Sequence, residues 1–217
     1  MASLNPDDFV ITRKRKKYRF ALFANSSLCF EFDEWKKQPV DVVEVGAGTG
    51  LFSVALAEAS PEKQFVALDV KADRLQKGAR LAEAKGLTNI RFVRARADQL
   101  LELFEAHSLE AIWLTFPDPF PKRRSAGRRM THPTYLALYK ELLQPGGAFY
   151  LKHDNQDFFC WSLEQLVANQ WQIDELSFDL HESDLADEYK IKTTYEERWT
   201  GEGLEMNFVK AIRDTGV

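Results

Sequence analysis

A chain of 217 residues, 45% hydrophobic and 29% charged, has room for one α/β domain with a sizeable core and short additions. No apolar run approaches the roughly 18 residues of a spanning helix, and the polar, basic start lacks an apolar signal core; a cytoplasmic protein that meets no membrane is expected. Cys29 and Cys160 stand far apart and His107, His132, His153 and His181 are scattered, so neither a disulfide framework nor a metal site is expected.

The net charge of −4 argues against a nucleic-acid partner only until its distribution is considered. Five consecutive bases, Arg13 to Lys17, lie in a stretch (residues 1–20) that predicts a flexible basic arm; residues 21–217 then form a single domain. A short helix is expected within residues 28–38. Residues 40–45 are β-branched and apolar, a buried first strand, and the turn Gly46-Ala47-Gly48-Thr49-Gly50 leads at once into a helix over 51–57. A strand, a glycine turn and a helix in this order let a ligand approach the backbone closely at a helix N-terminus. Glu44 would repel a pyrophosphate, and the G-x-G-x-G spacing is not that of a dinucleotide fingerprint. A cationic cofactor such as S-adenosylmethionine, with its ammonium and sulfonium, suits this acid.

The second strand, 64–69, ends in Asp69, placed about 20 residues past the glycine turn to accept ribose hydroxyls. Its competing role is to cap the helix over 72–85, which Gly86 ends. After a third strand at 89–94, Ala97 and Asp98 stand where an adenine is received, although Asp98 serves equally well as a cap for a helix over 99–104.

Residues 111–116 read as the fourth buried strand. Pro117, Pro119 and Pro121 remove backbone donors and stiffen the segment behind it, so Asp118 sits rigidly at the carboxyl end of a parallel strand. Lys122, Arg123, Arg124, Arg128 and Arg129 follow, enough positive charge for a polyphosphate. A helix over 134–143, a strand over 148–152, a helix over 156–168 and a strand over 171–180 come next; Asp154 lies at the sheet edge, either in the site or as a cap. Residues 181–192 predict a mobile acidic loop, residues 193–199 a turn or short helix, residues 201–203 a turn, and residues 204–211 the last strand.

This alternation gives a doubly wound α/β domain. With Glu44, the glycine turn, Asp69 and Asp98, it resembles the class I S-adenosylmethionine-dependent methyltransferases. That likeness implies a mostly parallel seven-stranded sheet, helices on both faces and an antiparallel last strand. FPDPFPKRR followed by RRMTHP, the strand end KHDN and a late TTYEER narrow the likeness to the bacterial tRNA (guanine-N7)-methyltransferase family. The resemblance implies methyl transfer from S-adenosylmethionine to N7 of the variable-loop guanine of tRNA, by a monomer or homodimer without a metal. By position it places Glu44, Asp69, Asp98 and Asp118, with Gly46, Gly48, Gly50 and Ala97, at the cofactor. Asp118 is also implied as the catalytic acid. Lys122, Asp154, Thr193, Thr194, Tyr195 and Glu196 are implied at the substrate, and Arg123, Arg124, Arg128 and Arg129 at the RNA. The chain departs from the family pattern at Phe120, often Trp, at Ser125-Ala126-Gly127, often rich in His and Lys, and at His153, usually Thr.

Overall fold

The computed structural model describes residues 14–193, 195–196 and 205–213, with side chains from Tyr18 onward. Its centre is a sheet of strands β1 (Cys29–Glu31), β2 (Val42–Val45), β3 (Phe65–Asp69), β4 (Ile90–Arg94), β5 (Leu109–Thr115), β6 (Leu143–His153), β7 (Trp171–Ser177) and β8 (Asn207–Arg213). They lie in the order β1-β4-β3-β2-β5-β6-β8-β7, parallel from β1 to β6, with β8 antiparallel to both β6 and β7. Both faces are covered, which is why β2, β3 and most of β5 are continuous buried apolar runs. On one face lie helices α1 (Lys14–Ala24), α2 (Leu51–Ala59) and α3 (Ala72–Ala84); on the other lie α4 (Leu100–Leu103), α5 (Pro133–Leu142) and α6 (Gln156–Ala168). Alternation along β2 sends Val43 and Val45 to the second face and Val42 and Glu44 to the first.

From β2 the chain runs outward through β3 and β4, then returns to β5 on the other side of β2. The carboxyl ends of β2 and β5 therefore border the switch-point crevice where open α/β sheets hold ligands. Among the described residues no helix is long and apolar enough to cross a membrane.

Three expectations change. The predicted helix within 28–38 is instead an eighth strand at the sheet edge, pairing Cys29 with Phe92 and Glu31 with Arg94. Burial of Leu28 and Cys29, and the Trp35 indole N–H donated to the Leu103 carbonyl at 2.8 Å, outweigh local helix propensity there. The basic stretch is helical from Lys14, where α1 packs along α3; residues 1–13 lie outside the described residues. Residues 181–192, predicted mobile, are anchored to the sheet. Tyr189 stacks on Phe208 at 4.8 Å within a cluster holding Trp113 and Tyr150, and Lys190 Nζ donates to the Ser183 carbonyl at 2.5 Å. The turn predicted at 201–203 lies outside the described residues.

Candidate active site

The glycine turn is held largely by backbone. Gly46, Gly48 and Gly50 have φ of 77°, 56° and 69°, left-handed values that side-chain-bearing residues adopt at a cost. Gly46 and Ala47 N–H donate to the Leu68 carbonyl at 2.8 and 2.9 Å. A Cβ on Gly50 would lie 2.7 Å from the Phe92 ring, and one on Gly78 of α3 would lie 2.5 Å from the Thr49 carbonyl oxygen. The absent side chain of Gly78 thus lets α3 press directly on the turn, which the sequence pattern did not single out.

Glu44 is buried under this turn. Its carboxylate accepts Ser53 Oγ at 2.5 Å and Thr115 Oγ1 at 2.6 Å, joining β2, α2 and the end of β5. Burial pushes its carboxyl up to about 7, against the lowering effect of those two hydroxyls. Asp69 accepts Gly48 N–H on Oδ2 at 2.9 Å and Lys71 N–H on Oδ1 at 2.8 Å. It does not cap α3: the N-cap is Lys71, without a side-chain cap bond. Asp98 is exposed and ion-paired with Arg96, whose hydrogen bond holds its carboxyl below the ordinary value. Ala97 lines the crevice; Asp98 does not.

The segment after β5 is strained on both sides of Asp118. Phe116 and Phe120 have φ of 50° and 39°, a region that bulky residues rarely occupy. Four contacts hold this shape. Phe116 N–H donates to the Lys152 carbonyl at 3.0 Å, and the His153 ring meets the Pro117 carbonyl through Nε2 at 2.9 Å. Because His153 Nδ1 accepts Asn155 N–H at 2.8 Å, Nε2 carries the proton donated to Pro117. The Arg129 guanidinium donates to the carbonyls of Pro119 at 3.0 Å and Phe120 at 3.1 Å while lying over the Trp161 ring. Arg128 covers the Phe120 ring at 4.4 Å. Asp118 itself is exposed, and its carboxylate has no hydrogen-bond or ion-pair partner among the described residues.

Two cavities meet over the glycine turn. One, of about 390 Å³, is lined by Glu44, Thr49, Thr115, Thr193 and Tyr195; the other, of about 450 Å³, by Asp69, Ala97, Asp118, Arg128 and Tyr135. Gly46, Gly48, Arg74 and Phe116 line both. Their sizes suit a nucleoside-sized ligand in each half.

A late segment closes the first cavity. Tyr195 donates its hydroxyl to Asp154 at 2.9 Å and lies 4.8 Å from the Phe116 ring. Asp154 is not a cap, since Asn155 caps α6 through Phe158 N–H. Glu196, expected at the substrate, is fully buried and faces away from the cavity: Lys152 Nζ lies 2.9 Å from its Oε1, and Thr193 N–H donates to its Oε2 at 2.6 Å. Thr194 lies outside the described residues. Among the expected RNA contacts, Arg123, Arg124 and Arg128 are exposed, as is Lys122, expected at the substrate, whereas Arg129 is spent on the loop carbonyls. Arg129→Ala is therefore expected to lower kcat about tenfold or more with little change in the salt dependence of tRNA binding. Arg123→Ala/Arg124→Ala should flatten that salt slope by about one to two and spare kcat. Binding assays across a salt series, beside single-turnover rates, separate the two.

No sequence signal marks Arg74 or Ser53 as part of this site, because each reaches it only through tertiary packing. Among the described residues no cluster of His, Cys, Asp or Glu is built to hold a metal.

Residues 38–208 match the protein-family model described as "Putative methyltransferase". The chain is similar to the tRNA (guanine-N(7)-)-methyltransferase of Brevibacillus brevis, with 36% identity over 88% of this chain and 91% of that protein. It is similar also to the protein so named in Cytophaga hutchinsonii, with 37% identity over 78% of each. Among solved structures, the 16S rRNA methyltransferase KamB superposes with a TM-score of 0.61 at 16% identity, covering 83% of this chain and 89% of that one. The 16S rRNA (adenine(1408)-N(1))-methyltransferase of Catenulisporales acidiphilia does so with a TM-score of 0.57 at 16% identity, covering 98% and 94%. At these identities the structural likeness is one of fold.

Proposed function

We propose a reaction and residue roles from one premise: this chain belongs to the tRNA (guanine-N(7)-)-methyltransferase family. It methylates N7 of a guanine in tRNA, and the variable-loop guanine is the target we assign. A cytoplasmic location fits a substrate of this kind. The observation that carries the residue assignment is the Asp118 carboxylate, without a partner among the described residues and held on a strained loop in the wall of the second cavity.

Bound S-adenosylmethionine supplies an electrophilic methyl carbon, which takes the N7 lone pair as its bond to sulfur breaks. N7 has no proton to lose, so no general base is obligatory and positioning carries most of the rate. The residues present fit this cofactor. Glu44 offers a buried carboxylate to its ammonium, and the glycine turn admits it against backbone. Asp69 keeps a lone pair on each oxygen for the ribose hydroxyls, and Ala97 leaves room for the adenine. Asp98 requires release from Arg96 to reach the adenine amine. Asp118 accepts from the guanine edge or the cofactor amine and orients one against the other. Lys122, Asp154, Thr193 and Tyr195 border the guanine, and extruding that base from the tRNA core costs a few kcal/mol, offset by cationic contacts to the backbone.

The test is tritiated methyl transfer to unmodified tRNA transcripts followed by nucleoside mass spectrometry. N7-methylguanosine that vanishes when the variable-loop guanine is replaced is the expected product; label on any other nucleoside would remove the assignment.

Glu44 also predicts a pH dependence. Its folded carboxyl titrates near 7 against an ordinary 4.5, so the folded protein holds a proton that the unfolded chain releases. This contribution to stability is full below about 4.5 and is lost as pH rises through 7. An ammonium beside Glu44 favours the ionised form, so S-adenosylhomocysteine affinity should rise about tenfold from pH 6 to pH 8. Glu44→Gln should bind more weakly and without this trend, which titration calorimetry at the two pH values reads directly.

A further inference from the structure

Several cations elsewhere in the molecule are already committed. Lys63 pairs with Glu110 at 2.8 Å, Lys85 with Glu58 at 2.6 Å, Arg94 with Glu31 at 3.1 Å and Lys210 with Asp174 at 2.7 Å. Helix α3 differs. Arg74, Lys77 and Arg80 are all exposed, and none has an ion-pair partner among the described residues. At about 100° per residue, successive three-residue steps retreat by about 60°, so the three cations share one arc of about 120° over about 9 Å of helix axis. The opposite face, with Ala72, Leu75, Ala79 and Ala82, is buried against the sheet, so the arc points to solvent.

The acids of the helix are not ion-paired to the arc among the described residues, although Asp73 lies within it by helical angle, four residues before Lys77. Asp73 stands in the first turn without an ion pair, and Glu83 takes the Ser26 hydroxyl at 2.5 Å. The arc is also placed with respect to the site. Arg74 lines both cavities and Lys71, at the helix N-cap, lines the second. Across the same cavity stand Gly127 and Arg128, from the loop that carries Lys122, Arg123 and Arg124.

A guanine inserted into the crevice has phosphates leaving it in both strand directions, and only one is served by the loop at 122–129. We propose that Arg74, Lys77 and Arg80 form a second phosphate-binding rail, which carries the tRNA backbone away from the crevice along α3. The rail rests on the tRNA reading above and adds a surface that reading does not contain. It reads no bases; it fixes the register of the RNA and lowers KM.

Lys77 and Arg80 lie outside the cavity lining, so the test uses Lys77→Glu/Arg80→Glu with Lys77→Ala/Arg80→Ala beside it. Expected for the glutamate pair are unchanged S-adenosylhomocysteine affinity and melting temperature, tRNA affinity down about tenfold or more at physiological salt, and a salt slope flatter by about two. The alanine pair should lose about threefold or more in tRNA affinity and flatten the slope likewise, with KM raised and kcat kept. Wild-type tRNA affinity and slope in both variants would overturn the rail, and so would a loss confined to the glutamate pair, which is general repulsion without contact. N7-methylguanosine formation by the unmodified enzyme is scored separately: its absence sinks the tRNA reading, whereas its presence with unaffected variants sinks the rail alone.

Discussion

Asp118→Ala is expected to lower kcat about a hundred- to a thousandfold while the melting temperature stays close to that of the parent and S-adenosylhomocysteine binding survives in weakened form. The expectation follows from what the carboxylate touches. It is exposed and has no partner among the described residues, so its loss removes no folded-state contact, and such substitutions usually stay within about 0.5 kcal/mol. The loop around it is held from outside, by Lys152, His153 and Arg129, and keeps its shape without the side chain. What disappears is an acceptor in fixed position in the second cavity, two residues from Phe116, which lines both. Asp118→Asn separates two ways of using it. An amide oxygen still accepts from one guanine N–H, so an orienting role predicts an intermediate rate and an unaltered pH profile. A proton-accepting role predicts that asparagine is as poor as alanine. Near-parental turnover in the alanine variant would remove Asp118 from the mechanism.

The strained segment also shows which parts of this molecule were legible in its sequence. Strand β2, the glycine turn and α2 could be read directly, because strand pattern, turn chemistry and helix start are all local and agree with one another. The prolines around Asp118 likewise announced a stiff loop. They did not announce left-handed backbone at Phe116 and Phe120, which is imposed by contacts nine or more residues away in sequence. The basic loop illustrates the same limit. Arg123 and Arg129 are indistinguishable by residue type, yet one is solvated and the other turned inward onto two carbonyls. Glu196 was expected at the substrate and lies fully buried, because its partner Lys152 comes from a strand 44 residues earlier. The edge strand β1 was missed for a related reason: a three-residue strand has almost no local signature and forms only because β4 offers a free edge.

That pairing of Lys152 with Glu196 supports the second large prediction: Lys152→Met should destabilise the protein by about 3–5 kcal/mol, seen as a melting temperature lower by roughly 6–20 °C. Both side chains are fully buried. Lys152 also donates to the Ile191 carbonyl at 2.9 Å and lies 5.3 Å from the Phe52 ring centroid, and burial pulls its ammonium below the ordinary lysine value. Removing the lysine leaves the fully buried Glu196 carboxylate with Thr193 N–H and the His181 ring at 3.3 Å but without its ammonium. Lys152→Met/Glu196→Gln removes both charges and should recover about 2 kcal/mol relative to the sum of the single changes. The pair matters to the site because Glu196 Oε2 accepts Thr193 N–H and Thr193 Oγ1 accepts Glu196 N–H at 3.1 Å, a closed turn that presents Thr193 and Tyr195 to the first cavity. S-adenosylhomocysteine affinity of the folded fraction should therefore fall about tenfold in Lys152→Met and recover in part in the double variant. A single variant that loses less than about 1 kcal/mol would show that water reaches the pair. Lost stability with unchanged affinity would mean that the turn holds its place without the latch, leaving Tyr195 and its hydrogen bond to Asp154 as the anchor of that wall.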